Sequence, residues 1–483
     1  MMLALRLACA LSLLVLGGCA TAPPVKVSGP NSAPCLQVFI DDDARLAAAA
    51  IHDAQSTPVA GHPYLRVDRL LASLTDTLDD ATQREAWLTR AAELDAQARA
   101  LEHARLPTPP DATYEARLQA CRQSLLSAVQ QDNAAWPMLK AGARVADDYS
   151  TLRRALGVYA LSSRVVMRGV ARLQQQHMPQ RLDAARADAL AATRFALLPA
   201  DGADSAEPAP APWKMDALGM PILSASQRAW LFRHHAPEIA VSLASDDDLP
   251  GHVLRNHAPD LDTWRATVCT QLAYPRFDGR VLPQLVYTWW FAARTAQSRL
   301  DALAGALDGL SWRVTLDVDA QPLAYDVAHN CGCYHMFFPT ERLRVRTLAD
   351  AGTEPPWIPF TVPVAWPASL RVVLASGTHY VEAIAPAARS APARHYQMQP
   401  YDELRNIAQD QTRVSLFDAE GLVPGSARGE RWFLWPMGVV APGSMRQWGR
   451  QATAFVGRRH FDDAHLFERY FVRASSSSAA GED

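Results

Sequence analysis

The chain has 483 residues, 49% of them apolar and 20% charged, with a net charge of −3. Such a length allows two or three domains, and the composition suits a globular protein with a substantial core rather than a disordered or fibrous chain. Only three lysines occur (Lys26, Lys140 and Lys214) and the arginines are spread thinly, so no basic stripe points to a nucleic-acid partner.

The amino-terminal stretch MMLALRLACALSLLVLGGCATAPP places Arg6 before an apolar run from Leu7 to Leu16. That run is too short to span a bilayer but has the length of a secretory signal core. It closes with Leu16-Gly17-Gly18-Cys19, which resembles the lipobox of bacterial lipoproteins. The resemblance implies a signal peptide over 1–18, cleavage before Cys19, and acylation (palmitate-type chains) of that cysteine. Ala20 rather than Asp follows, which by the same resemblance implies sorting to the outer membrane. Several acyl chains on one residue suffice for stable anchoring. Residues 19–35 read as an extended, Pro-containing tether.

Residues 36–200 are expected to be a helical domain. Asp41 to Asp43 suggest an N-cap and acidic first turn before ARLAAAAIHDA. A longer helix carries Trp87, Ala91, Leu94, Ala98 and Leu101 on one face, and PTPPD at 107–111 stops it. The next carries Tyr114, Leu118, Cys121 and Leu125. A third, after Pro137, carries Leu152, Leu156, Tyr159, Val166 and Val170. Such stripes serve either as a partner-binding surface or, the expectation adopted, as the packed core of a bundle. ADGADSAEPAPAPW breaks the period, so 201–212 is predicted to be a linker.

Beyond it the period changes towards two. TVCTQLAY and VLPQLVYTWWF flank PRFDGR, whose Asp278-Gly279 is a strong hairpin signal. Further strands are predicted in LSWRVTLDVDAQPLAYDVAHNCGCYHMFF (turning at 319–322), RLRVRTL, SLRVVLASGTHYVEAI (turning at Ser376-Gly377), RVSLF and RWFLWPM. Helices are predicted at 224–235, 295–306, 401–408 and 461–470. The fold class is therefore α+β: a helical domain, then a mostly antiparallel β-rich domain over 213–475, then a disordered tail at 476–483. The segments LDGLSWRVTLD, HNCGCYHMFFP, FLWPMGVV and GRRHFDD resemble parts of a family of uncharacterised proteobacterial envelope proteins. The resemblance covers most of the β-rich half and carries over no catalytic residue and no ligand.

Of the seven cysteines, Cys9 belongs to the signal and Cys19 to the anchor. Cys35 and Cys121 either form a disulfide, the default in an oxidising compartment, or are two small buried residues. The stretch HNCGCYH sets His329, Cys331, Cys333 and His335 at alternate positions. On a straight strand the two histidines would lie roughly 20 Å apart, at about 3.3 Å per residue, too far to share an ion. A bend at Gly332 is required for any joint chemistry. With it, the thiols, one or both histidines and Cys269 become candidate ligands for zinc or copper. The same bend permits a strained Cys331–Cys333 disulfide. The third alternative is a purely structural segment.

Weaker candidates are His460 with Asp463, His465 with Glu468, and His379 with Glu382. The aromatics of YTWWF and RWFLW either line a ligand groove or pack the core. No Gly-x-Ser-x-Gly, His-Glu-x-x-His, P-loop or Rossmann glycine pattern occurs. Three functional classes stay open for an outer-membrane-anchored periplasmic lipoprotein. One is a binding or envelope-support module with a structural soft metal and an unidentified envelope partner. The others are a metal-dependent enzyme and a thiol–disulfide protein acting through Cys331 and Cys333.

Overall fold

The computed structural model describes residues 32–191, 195–200, 213–255, 258–347, 352–387 and 394–474. The expected signal, Cys19, the linker at 201–212 and the tail at 476–483 lie outside the described residues. The fold is α+β.

Five helices frame the description: α1 (Ser32–Ala48), α2 (Ala81–Ala104), α3 (Ala112–Gln130), α4 (Tyr159–Gln176) and α5 (Ala225–His234). The Asp80 and Asp111 side chains accept from backbone N–H groups of the first turns of α2 and α3, satisfying donors that the helix leaves unpaired. Helix α1 begins before the expected tether ends, and Cys35 within it is bridged to Cys121 of α3, with Cα atoms 4.9 Å apart. The run Asp41–Asp43 is not a cap. It lies inside α1, where Asp42 and Asp43 each accept from Arg99 of α2 at 2.7 Å. Trp87, Ala91, Leu118 and Leu125 pack as their spacing predicts, together with a hairpin formed by Thr57–Val59 and His62–Val67.

Eleven strands form one sheet: β1 (Gln180–Arg181), β2 (Phe195–Pro199), β3 (Glu238–Val241), β4 (Thr267–Ala273), β5 (Gln284–Arg294), β6 (Gly305–Leu316), β7 (Pro322–His329), β8 (Met336–Pro339), β9 (Leu370–Leu374), β10 (Val381–Pro386) and β11 (Arg394–Pro400). Their order is β8-β7-β6-β5-β4-β11-β2-β3-β9-β10-β1. The run from β8 to β4 is antiparallel, as short connections demand. The pairs β4–β11, β11–β2, β3–β9 and β10–β1 are parallel, so the sheet is mixed. The Asp278-Gly279 hairpin forms with both residues at positive φ. Alternation in β5 covers both faces. Tyr287, Trp289 and Phe291 enter one core with α5, while Trp290 enters another on the opposite side.

Several expectations are corrected. Residues 295–306 form no helix, because β6 begins at Gly305 and turns precede it. RWFLWPM is not a strand but a short helix, Arg431–Leu434, and a 3₁₀ turn. Helix content at 401–408 shrinks to a 3₁₀ turn over Tyr401–Arg405, and at 461–470 to Leu466–Tyr470. The stripe through Leu152, Leu156, Tyr159, Val166 and Val170 is not one buried helix. It breaks at Gly157 and Val158 into Thr151–Leu156 and α4, and neither piece contains a buried residue.

The change of period near residue 200 does not coincide with a change of sheet. Strands β1 and β2 precede it, and β2 sits between β11 and β3. Asp53 accepts from Arg405 at 2.7 Å and Asp462 from Arg69 at 2.9 Å, tying the helical part to the carboxy-terminal part. Cutting at an engineered protease site within 201–212 should therefore leave the two fragments associated on native gel filtration. Separation into two independently folded pieces would contradict this placement.

Candidate functional site

The stretch 329–335 joins β7 to β8 and is bent. The Gly332 N–H donates to the His329 carbonyl at 2.7 Å, and the His329 N–H donates to the Cys333 carbonyl at 3.0 Å. Gly332 sits at φ +92°, and a Cβ there would overlap the backbone carbonyl of Ala452. Only glycine meets both conditions. Tyr334 follows at φ +58°. Asn330 anchors the entry: its side chain donates to the Trp289 carbonyl at 3.1 Å and accepts from Ser311 Oγ at 2.8 Å.

The bend brings the two thiols together. The Cys333 N–H donates to Cys331 Sγ at 3.4 Å, and the Cys333 thiol points to Glu430 Oε1 at 3.9 Å. Both cysteines are free; Cys331 is buried and Cys333 is half-buried. The hydrogen bond with Cys331, then burial, pushes the Cys333 thiol well above its usual range. Burial raises the Glu430 carboxyl to about 7 despite Arg294 and Arg428 nearby.

The histidines leave in different directions. His329 faces Asp308 of β6, with Nδ1 3.7 Å from Oδ1, and its Nε2 has no hydrogen-bond partner. Asp308 also accepts from His379 Nδ1 at 2.8 Å, while His379 Nε2 lies 3.4 Å from Asp248. Burial opposes charge on Asp308, but bonds to His329 and His379 outweigh it and hold its carboxyl well below the usual range. Burial likewise opposes charge on His379, yet Asp248 and Asp308 raise its pKa. His329 itself is lowered by burial. Its ring packs against Tyr334 and Tyr380, whose hydroxyls hydrogen-bond to each other. Leu307, Tyr334 and His379 all hold positive φ in this one cluster, an expensive conformation for residues with a Cβ.

His335 belongs elsewhere. Its Nε2–H donates to Asp326 Oδ2 at 2.8 Å, Arg313 pairs with the same carboxylate, and the ring stands edge-on to Phe461. Burial drives the His335 pKa down to about 3, so the imidazole is neutral. Cys269 lies on β4, three strand spacings from β7, roughly 14 Å across the sheet. It accepts from Gln399 Nε2 at 3.2 Å, and burial pushes its thiol up to about 12.

The expected soft-metal set of His329, Cys331, Cys333, His335 and Cys269 is thus corrected. The bend exists, but it directs the histidines to Asp308 and Asp326 instead of towards the thiols. Among the described residues no three His, Cys, Asp or Glu side chains converge as metal ligands. The other candidates are also separate. His465 bonds Glu468 at 2.8 Å, while Asp463 pairs with Arg469. His460 faces Asp147 and Asp148. Glu382 is exposed on β10, away from His379.

What emerges is one polar cluster where β5 ends, β6 begins and β7 ends, comprising the dithiol with Glu430, the Asp308 histidines and the tyrosine pair. Asp308, Glu430 and Tyr380 were not singled out from sequence. Asp308-Gly309 resembles a turn signal, and nothing local ties residue 430 to residue 333. Comparison with protein-family models, curated proteins and solved structures finds no match to this chain.

Gly332→Ala should cost about 1–3 kcal/mol or more in urea unfolding, because it adds both backbone strain and an overlap with Ala452. Stability unchanged within error would contradict the bend. His335 has a folded pKa far below its unfolded value of 6.5. The unfolded chain takes up that proton first as pH falls, so the stability is lost progressively from about 6.5 down to about 3. The slope attributable to this one group is at most about 1.4 kcal/mol per pH unit. His335→Gln, which keeps a donor for Asp326 but does not titrate, should flatten the pH dependence of the urea midpoint over that window.

Proposed function

We propose that this chain is a lipid-anchored envelope protein that carries out thiol–disulfide exchange through Cys331 and Cys333. The observation that carries the proposal is the shared bend: two free thiols face each other across Gly332, with Glu430 beside the more accessible one. The bridged Cys35 and Cys121 suit an oxidising compartment, in keeping with Cys19 as the acylated anchor.

The exchange is a two-electron step. Cys333 gives its proton to Glu430, and its thiolate attacks a substrate disulfide. A mixed disulfide forms and one substrate thiolate leaves. Cys331 then attacks Cys333 Sγ and closes the Cys331–Cys333 disulfide; its proton goes to the departing second substrate sulfur, and Glu430 returns the Cys333 proton to the first, so both leave as thiols. The protein dithiol is oxidised and the substrate disulfide reduced; the reverse sequence oxidises a substrate dithiol. A carboxyl poised near 7 exchanges protons at neutral pH. The raised pKa of Cys333 keeps that thiol protonated at rest, so its attack depends on a proton acceptor, and Glu430 is the carboxylate beside it. A disulfide closed over one intervening residue is strained and hence readily reduced.

A second reading, a binding module, is favoured by a cleft of about 310 Å³ between the amino-terminal helices and the sheet, bordered by Arg69, Arg90, Asp462 and Trp448. Its size is that of a small-ligand site.

Equilibration of the purified chain in mixtures of reduced and oxidised dithiothreitol, followed by alkylation and peptide mass analysis, tests the exchange. Cys331 and Cys333 should convert together and reversibly while Cys35–Cys121 persists. Cys331→Ser should accumulate the mixed disulfide, and Glu430→Gln should slow attack and shift its pH profile. If both thiols stay free under strong oxidant, the proposal fails and the cleft becomes the leading site.

A further inference from the structure

The stretch from Thr151 to Met178 holds five arginines (Arg153, Arg154, Arg164, Arg168 and Arg172) and no acidic residue, in a chain whose net charge is −3. No residue of either helix in it is buried. Leu152, Leu156, Leu161 and Val165 are each more than 60% exposed. Apolar side chains on a soluble surface usually occur singly, and a contiguous exposed set marks an interaction face.

The exposed set continues onto a second segment. The Thr151–Leu156 helix and α4 both pack against Trp435–Met437, and Gly157 approaches Pro436 so closely that a Cβ would overlap it. The short helix just before presents Trp432 at 72% and Phe433 at 57% exposure, and Arg431 lies over the Trp432 ring. Arg164, Arg168 and Arg172 follow one another at four-residue spacing along α4, all exposed and without an ion pair among the described residues. Leu161 and Val165 border this row, and Val166, Val170 and Leu173 lie beyond it, half-buried. A basic row beside an apolar face, with tryptophan and phenylalanine at the edge, is the arrangement of helices that lie in the headgroup region of a membrane.

We propose that α4 and the Trp432–Trp435 segment dock on the surface of an anionic phospholipid bilayer. Leucine, valine and indole side chains enter the acyl boundary, and the arginines hold phosphate headgroups. Charge selects this occupant: a second copy of the chain would set the arginine row against itself or need an acidic counterpart, and this face supplies none. A second support rests on the reading of Cys19 as the anchor. Residues 20–31 span at most about 40 Å at roughly 3.3–3.6 Å each, so an acylated Cys19 would hold the body within reach of a bilayer. No helix of the described residues is long and apolar enough to cross a membrane, so the contact is with the surface.

The test removes the anchor, so that the two ideas fail separately. Mature chain beginning at Ala20, without the signal and the anchor cysteine and purified without lipid, is co-sedimented with vesicles of mixed phosphatidylethanolamine and phosphatidylglycerol, and with vesicles of phosphatidylcholine alone. Binding to the anionic vesicles, weakened by salt, is expected, with a blue shift of tryptophan emission. Neutralising the row with Arg164→Gln, Arg168→Gln and Arg172→Gln should lower that binding roughly a hundredfold, at about 1 kcal/mol per arginine. Trp432→Ser with Phe433→Ser should markedly reduce the blue shift, leaving only the contribution of Trp435. All these positions are exposed, so unchanged thermal melting shows that the variants still fold. The proposal is overturned if the unlipidated chain ignores anionic vesicles or if neither set of substitutions changes binding. It is equally overturned if the chain self-associates in lipid-free solution through a contact that Trp432→Ser and Phe433→Ser disrupt. Loss of membrane fractionation in cells on Cys19→Ser bears on the anchor alone.

Discussion

The missing side chain of Gly332 is the constraint on which the site depends. The carbonyl of Ala452 occupies the space where a Cβ would be, and the backbone passes at φ +92°. With that corner available, seven residues that would otherwise run straight can reverse. The reversal fixes where each polar side chain goes. Cys331 and Cys333 fall inside the turn, Cys333 against Glu430, while His329 and His335, at its two mouths, meet Asp308 and Asp326 on neighbouring stretches of sheet. A looser turn would leave the spacing between the thiols to chance. Here Asn330 holds one side, and the Arg446 N–H donates to the Asn330 carbonyl at 3.0 Å.

Burying this much charge requires that each carboxylate find a cation or a hydrogen-bond donor. Asp308 lies between two imidazoles, Asp326 between an imidazole and Arg313, and Asp53 against Arg405. Breaking one partner of such a pair costs more than the pair contributes, because the remaining charge stays buried. The pairs therefore act less as a source of stability than as a specification of geometry, since alternative packings strand a charge. Asp53–Arg405 and Arg69–Asp462 apply that rule to the join between the amino-terminal helices and the rest. The same demand explains the raised pKa of Glu430: it has Cys333 as a neutral neighbour and only more distant arginines, so burial prevails.

Much of the sheet was legible in local pattern. Alternation in QLVYTWWF, the Asp278-Gly279 turn and the short connection at 319–322 each state an antiparallel neighbour within a few residues. The parallel pairs were not legible, because β11 joins β4 and β2 across gaps of more than a hundred residues. The candidate site divides the same way. His329, Cys331, Gly332 and Cys333 stand out in sequence because they are crowded into one segment. Glu430, Asp308 and Tyr380 come from other segments, and only the folded chain relates them. The metal expectation diverges at this step: the ligand types suited a soft metal and the required bend is present, but His329 and His335 pair with the carboxylates the sheet brings beside them.

The stripe through Leu152, Leu156, Val166 and Val170 shows a different limit. Period 3.6 reports that one side of a helix differs from the other; it does not report what medium the apolar side meets. In α2 and α3 the apolar side meets protein, and the residues on it are buried. In α4 the same pattern is only partly covered: Val166 and Val170 are half-buried, Leu161 and Val165 stay exposed, and Trp432 and Phe433 are exposed beside them. What separates the cases is charge on the polar side. Helix α2 mixes acids with arginines and pairs several of them internally, whereas α4 carries arginines alone. A one-signed row gains little from solvent or from its own protein and much from an opposite surface within a Debye length, about 8 Å at physiological salt. An apolar face next to such a row is therefore stable in water only as a compromise. On the proposed docking, an anionic layer of lipid satisfies the charged side and the apolar side in one contact.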